Sequence, residues 1–169
     1  GHVYVDSDND GVRDPGEAGR SAVTVALTGT DSLGHPVTRT TTTDATGTYV
    51  FTGIPTSDNA GYTVTETQPA GLLDGRDVVG TAGGTASAND VISGIVVASG
   101  TLGEHYDFGE LTPSSITGIV YVDATGNGIV DAGEPRLASV ALDLTGIDDL
   151  GANVTASTTT GSDGTFSFT

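Results

Sequence analysis

The sequence contains no cysteine, no methionine and no tryptophan. The missing cysteine excludes disulfides, thiol catalysis and thiolate metal sites. Lysine is absent too, since the five basic residues are Arg13, Arg20, Arg39, Arg76 and Arg136. Against 22 acidic residues they leave a formal net charge of −17. Five scattered guanidinium groups cannot assemble the basic stripe that nucleic acid demands, and the surplus negative charge repels phosphate, so no nucleic-acid partner is expected. No apolar run of about 18 residues exists, so no membrane insertion is expected. No charged-then-apolar leader opens the chain, so any signal peptide is expected outside it. Aromatic residues make up only 5%, and no segment shows the 3.6-residue period of an amphipathic helix, which argues against a helical bundle.

Glycine, at 26 of 169 residues, together with threonine and valine, dominates instead. The pattern is that of short strands separated by turns. Val23, Val25 and Leu27 alternate with threonine and alanine; Val37 to Thr43 is a threonine-rich strand. Tyr49 and Phe51 point one way, with Thr48 and Val50 opposite. Tyr62 and Val64 repeat the alternation, Ile92, Ile95 and Val97 mark another strand, and Tyr106 with Phe108 the last. The stretch from Pro69 to Asp90 reads as a long Gly- and Asp-rich loop. About seven strands in about 110 residues predict an all-β, Greek-key β-sandwich.

The chain also repeats itself. Residues 1–52 align without a gap onto residues 118–169, at a constant offset of 117. Roughly half of the paired positions are identical, which a shared β composition does not produce. GHVYVDSDNDGVRDPGE answers GIVYVDATGNGIVDAGE, and VTVALTGTDSLG answers VALDLTGIDDLG. The expected organisation is one module over residues 1–110, a linker at 111–115 (LTPSS), and the first half of a second module over residues 116–169. The equivalents of Ile116 and Thr117 are not found before Gly1, so the sequence reads as a window onto a longer tandem array. The alternative, a short protein with half a domain, would leave strand edges and apolar faces uncovered.

One chemical signal is sharp. Residues 6–17 read D-S-D-N-D-G-V-R-D-P-G-E. Oxygen donors fall at loop positions 1, 3, 5, 9 and 12 as Asp6, Asp8, Asp10, Asp14 and Glu17, while Gly11 takes the sharp turn and Val12 offers a backbone carbonyl. This is the ligand spacing of an EF-hand calcium loop, here between strands rather than helices. Two carboxylates about 5 Å apart repel by roughly 0.8 kcal/mol even in water, so five around one point call for a cation. Ca²⁺ is the expected cofactor, Mg²⁺ fitting less well because it prefers octahedral geometry with retained water. The second copy keeps Asp123, Asp131 and Glu134, with Thr125 and Asn127 at positions 3 and 5 and Ile129 at the carbonyl position; weaker binding is expected there. Asp74, Asp77 and Asp90 are a further candidate metal group, with solvated turn residues as the alternative. Asp44 and Asp163 are expected to cap turns through side-chain hydrogen bonds. Asn153-Val154-Thr155 is a glycosylation sequon.

These segments resemble the B-type repeat of bacterial surface proteins, above all the calcium-binding B domains of serine–aspartate-repeat adhesins. The resemblance rests on G-x-V-Y-x-D-x-D-x-D-G-x-x-D-x-G-E, then V-x-V-x-L-x-G, T-D-x-x-G-x-Y-x-F, Y-x-V-x-E-x-Q-P-x-G and the closing Y-D-F-G-E. It implies a prealbumin-like, Ig-like sandwich serving as a stiff segment of a cell-surface stalk, with calcium holding its loops. Relatives of the collagen-adhesin B type carry a Lys–Asn isopeptide crosslink, which a chain without lysine cannot form. The expected role is therefore a calcium-stabilised extracellular spacer in an adhesin, filament or biofilm structure. Its partners would be the neighbouring repeats of the same chain and, by strand addition, other copies in a filament. The alternative is a module that binds a host protein or glycan through the Pro69–Asp90 loop and the threonine-rich strand. No enzyme is expected, because His2, His35 and His105 sit in no nucleophile motif.

Overall fold

The computed structural model describes residues 1–148 and 151–169; Asp149 and Leu150 of the repeat lie outside the described residues. Among the described residues there are twelve strands and no helix. They are β1 (Val3–Val5), β2 (Thr24–Thr30), β3 (Pro36–Thr42), β4 (Tyr62–Glu66), β5 (Leu73–Val78), β6 (Thr85–Ala88), β7 (Val91–Ile95) and β8 (Asp107–Leu111), then β9 (Ile116–Ile119), β10 (Ala141–Ile147), β11 (Asn153–Thr159) and β12 (Thr165–Phe168). The chain divides into two units, Gly1–Thr112 and Pro113–Thr169.

The first unit is a two-sheet sandwich. One sheet has the order β3-β2-β4-β7-β6, the other β1-β8-β5. Strands far apart in sequence thus become neighbours, as Greek-key connections require. In the smaller sheet β1 runs parallel to β8, with Val3 opposite Phe108 and Val5 opposite Glu110. The period-two pattern explains the core. Val25 and Leu27 of β2, Tyr62 and Val64 of β4, and Ile92 and Ile95 of β7 meet Val3 and Phe108 from the other sheet. The outward positions of the same strands carry threonine: Thr24 faces Thr42, and Thr28 faces both Thr38 and Thr63.

Two parts differ from the sequence reading. The stretch 69–90 is not one long loop: it contains β5 and β6, which brings the unit to eight strands. Its alternation is hidden because register shifts interrupt β5 between Asp74 and Asp77 and β6 between Ala86 and Ala88. Conversely, Tyr49 and Phe51 pack against the core without belonging to a ladder; only Thr48 makes a bridge, to His2. The turn aspartates act as expected. Asp44 Oδ1 accepts the N–H groups of Thr46 and Thr48 at 2.8 and 3.0 Å, and Asp163 Oδ1 accepts the Thr165 N–H at 3.1 Å. Bonds from Thr46 and from Thr165, respectively, hold both carboxyls below the usual carboxylate range.

In the second unit β10 pairs with β11 and β12 with β9. The repeat is visible in its hydrogen bonds. Thr43 Oγ1 accepts the Val23 N–H at 2.9 Å and donates to the Arg20 carbonyl at 2.6 Å. Thr160 Oγ1 does the same with Val140 and Leu137, at the same two distances.

Candidate metal centre

The acidic loop leaves β1 directly. Asp6 is fully buried, and its carboxylate accepts the N–H groups of Asp10 at 3.2 Å and Gly11 at 2.8 Å. Gly11 takes φ +80°, a left-handed value that a side chain would resist. Asp10 Oδ1 accepts the Val12 N–H at 2.7 Å. Glu17 reaches back across the loop, its Oε1 accepting from Ser7 at 2.6 Å and its Oε2 from Asp14 at 2.9 Å. Asp6, Asp8 and Asp10 each place a carboxylate oxygen within 4.8 Å of the others. Asp14 and Glu17 stand outside that trio, with Glu17 acting as the clasp that closes the loop. Burial pushes the Asp6 carboxyl up, against the pull of its bonds from Gly11 and Asp10.

Two glycines let this loop lie close against the smaller sheet. A Cβ on Gly109 would fall 3.2 Å from Asp6 Cβ, and one on Gly75 would fall 3.2 Å from Asn9 Oδ1. Beneath the loop, Tyr4 is fully buried on the face of β1 opposite Val3. Burial, reinforced by Asp6, raises its phenol pKa.

The second loop repeats the frame with other chemistry. Asp123 accepts from Asn127 at 3.2 Å and Gly128 at 2.8 Å, and Glu134 clasps Ala124 and Asp131 at 2.9 and 3.0 Å. Ile129 donates its N–H to Asn127 Oδ1 at 2.7 Å. Thr125 and Asn127, however, donate to Asp131 Oδ2 at 3.3 and 2.9 Å. Where the first loop sets carboxylate against carboxylate, the second satisfies its acid with neutral donors. The bond from Gly128, with those from Gly126 and Asn127, lowers the Asp123 pKa.

A second concentration of acid lies inside the first unit. Glu66 of β4, Asp90 before β7 and Glu110 of β8 bring carboxylate oxygens within 4.8 Å of one another; Asp74 and Asp77 of β5 do the same with Asp90. In a regular strand residues 74 and 77 would face opposite ways, and the register shift between them aims both at Asp90. The Cβ of any other residue at Gly75, inside that shift, would fall 2.6 Å from the Gly109 carbonyl oxygen. Glu66 is 3% exposed and Glu110 is 0%. Gln68 Nε2 donates to Glu110 Oε2. Both oxygens of Glu66, Oε1 of Glu110 and one oxygen each of Asp74, Asp77 and Asp90 are buried without a hydrogen-bond partner. Such groups are rare because each costs about 1–3 kcal/mol. Burial, compounded by neighbouring acids, raises Glu66 and Glu110, lifts Asp74 to about 6 and lifts Asp77 to about 7.

The donor set is all oxygen and anionic, which suits a hard divalent cation such as Ca²⁺ and excludes sites selected by soft or nitrogen ligands. Because β4 and β7 belong to one sheet and β5 and β8 to the other, a cation there would bind the two sheets together. The sequence reading named Asp74, Asp77 and Asp90 but missed Glu66 and Glu110. The signal was present: both occupy the inward phase of strands, two residues after Val64 and Phe108, where an apolar residue belongs.

Residues 1–112 match the SdrD B-like domain family. The chain is 31% identical over 173 residues to serine-aspartate repeat-containing protein F of Staphylococcus epidermidis, covering 99% of this chain and 10% of that protein. It is 29% identical over 175 residues to serine-aspartate repeat-containing protein D of Staphylococcus aureus, covering 99% and 12%. It therefore spans about a tenth of the length of these relatives. No solved structure matches. The family match agrees with the all-β architecture. By its match over the whole first unit, the chain belongs to the SdrD B-like domain family.

Proposed function

We propose that this chain is a calcium-braced spacer in the stalk of an extracellular surface adhesin, joined in series with neighbouring repeats. The observation that carries the reading is the carboxylate cluster of the buried Glu66 and Glu110 and the half-buried Asp74, Asp77 and Asp90, with its unpartnered oxygens. A folded protein keeps such a group only if something cationic or protic offsets it. With five carboxylates and no cationic side chain among its ligating groups, a divalent cation supplies that charge and replaces the missing hydrogen bonds. The acidic loop of Asp6, Asp8 and Asp10 is the second, more exposed calcium site. The loop of Asp123, Asp131 and Glu134 is a weak third, because its neutral donors already stabilise it. In a chain without disulfides or lysine crosslinks, these ions are the remaining staples.

The test is thermal unfolding of the chain in about 1 mM Ca²⁺ and in chelator. A site with Kd of about 10 µM adds about 2.7 kcal/mol under the first condition. A melting temperature that does not move between the two would defeat the proposal. Glu66→Gln with Asp90→Asn should remove most of the calcium-dependent shift, and Asp6→Asn with Asp10→Asn a smaller part.

A further inference from the structure

Asparagine stands at positions 9, 59, 89, 127 and 153, and only Asn127 is followed by glycine. The pair has its own chemistry. A side-chain amide is open to attack by the main-chain nitrogen of the next residue, and a glycine there has no Cβ to hinder closure of the five-membered ring. Asn127 and Gly128 are both exposed.

The second acidic loop holds each group that this reaction uses. Asn127 Oδ1 accepts the Ile129 N–H at 2.7 Å, a donor placed where negative charge develops when the amide carbon is attacked. Asn127 Nδ2, which would leave, donates to Asp131 Oδ2 at 2.9 Å. The Gly128 nitrogen, which would attack, donates its N–H to Asp123 Oδ2 at 2.8 Å, and the Asn127 N–H reaches Asp123 Oδ1 at 3.2 Å.

The first loop shows the same frame with the acid in place. Asp10 stands where Asn127 does, and its Oδ1 accepts the Val12 N–H at 2.7 Å. The Gly11 and Asp10 N–H groups reach the two Asp6 oxygens at 2.8 and 3.2 Å. All three distances equal those of the second loop, so aspartate at position 127 fits without rearrangement.

We infer that Asn127 is a site of spontaneous deamidation, which gives the second loop the acid-against-acid character of the first. The Gly128 nitrogen bonds to Asn127 Cγ and the Cγ–Nδ2 bond breaks. The proton released by Gly128 departs with the amide nitrogen as ammonia, leaving a succinimide. Water, the only co-reactant, then opens the ring. Attack at Cγ breaks the new Cγ–N bond and restores an ordinary main chain with aspartate at 127. Attack at the main-chain carbonyl gives isoaspartate, which inserts a methylene between the two nitrogens that Asp123 grips. The folded loop therefore directs opening toward aspartate. The product forfeits the bond to Asp131 and sets two carboxylates against each other instead. A divalent cation then gains a charged ligand, and ligand charge tunes the affinity of such loops. That gain rests on the reading of this loop as a calcium site; the loss of ammonia does not.

The test ages the whole chain in warm neutral buffer, folded and in urea, and follows every asparagine by peptide mapping with mass spectrometry. Asn127 should convert at least about tenfold faster than each of the other four. Aspartate should dominate in the folded chain and isoaspartate in urea. An intact Asn127 amide after the others begin to convert, or isoaspartate as the main folded product, would overturn the inference. Terbium binding by Asn127→Asp, with Asp6→Asn and Asp10→Asn silencing the first loop, is compared with that of the same chain carrying Asn127. An affinity at least about tenfold higher supports the new charged ligand. Conversion to aspartate with no gain in terbium affinity would uphold the modification and overturn the calcium reading of this loop.

Discussion

Replacing Glu66 with glutamine should push stability in opposite directions according to whether calcium is present. Glu66 lies at the end of β4 with both carboxylate oxygens buried and unpartnered, facing Asp90 and Glu110. In chelator it either ionises against its neighbours or, its pKa raised by burial and the adjoining acids, keeps a proton that the unfolded chain has released, which costs stability as pH rises above the unfolded value. Glutamine keeps the shape, discards the charge and offers two N–H donors to the surrounding oxygens. Relief of one unsatisfied buried group is worth about 1–2 kcal/mol of the range for such groups. For a unit of this size that raises the melting temperature by roughly 4–8 °C. With calcium the sign reverses. If the variant weakens a site of Kd about 10 µM a hundredfold, the contribution of about 1 mM Ca²⁺ falls from about 2.7 to about 0.4 kcal/mol. The calcium-induced rise, roughly 10 °C for the parent, should shrink to roughly 2 °C. Scanning calorimetry of both proteins with and without calcium reads all four values. A lower melting temperature for Glu66→Gln in chelator would refute the reasoning, because it would mean that the carboxylate already has a stabilising partner. An undiminished calcium shift would refute it equally.

Other consequences follow from the same geometry. In chelator the folded-state pKa values of Asp74 and Asp77, about 6 and about 7, lie above the unfolded value of 3.8. The folded chain then holds the extra protons, so stability is greatest below about pH 4 and falls as pH rises toward about 7. Discounted for partial exposure, the loss is about 2–3 kcal/mol, measurable by urea titration across that range; calcium should abolish it. Terbium luminescence should drop strongly in Asp6→Asn with Asp10→Asn and little in Asp123→Asn with Asp131→Asn, since only the first loop sets acid against acid. Gly109→Ala would place a Cβ 2.9 Å from the Arg76 carbonyl oxygen and 3.2 Å from Asp6 Cβ. It should cost about 1–3 kcal/mol in denaturant unfolding and weaken the loop site while sparing the inner one.

The parts legible in the sequence are those whose chemistry is local. The loop of residues 6–17 declares itself because its donors, its turn glycine and its clasping glutamate lie within twelve residues. Strands β2 and β4 declare themselves by clean alternation, and β3 by its run of β-branched threonine. The inner cluster is different: its five acids come from four segments spread over residues 66–110, and only the pairing of β8 with β5 and of β4 with β7, with the two sheets packed face to face, brings them together. Asp74 and Asp77 carry the wrong spacing for one face until a register shift corrects it. Glu66 and Glu110 pass for the ends of strands, although alternation already assigns them to the interior. Tyr49 and Phe51 read correctly as inward-facing, but alternation cannot say whether a strand has a neighbour.

The parallel pairing of β1 with β8 has a mechanical meaning. Val3–Val5 and Phe108–Glu110, the first and last strands of the unit, lie side by side and point the same way. Tension applied through the two ends pulls these neighbours past each other along their length. Their hydrogen bonds must therefore yield together in shear, whereas peeling would break them singly. Asp6 immediately follows one strand and Glu110 belongs to the other, so carboxylates of both acid centres flank this clamp. Because forced rupture is governed by the rate of unfolding, metal held at those centres, as proposed, would lengthen the time this pair survives under load.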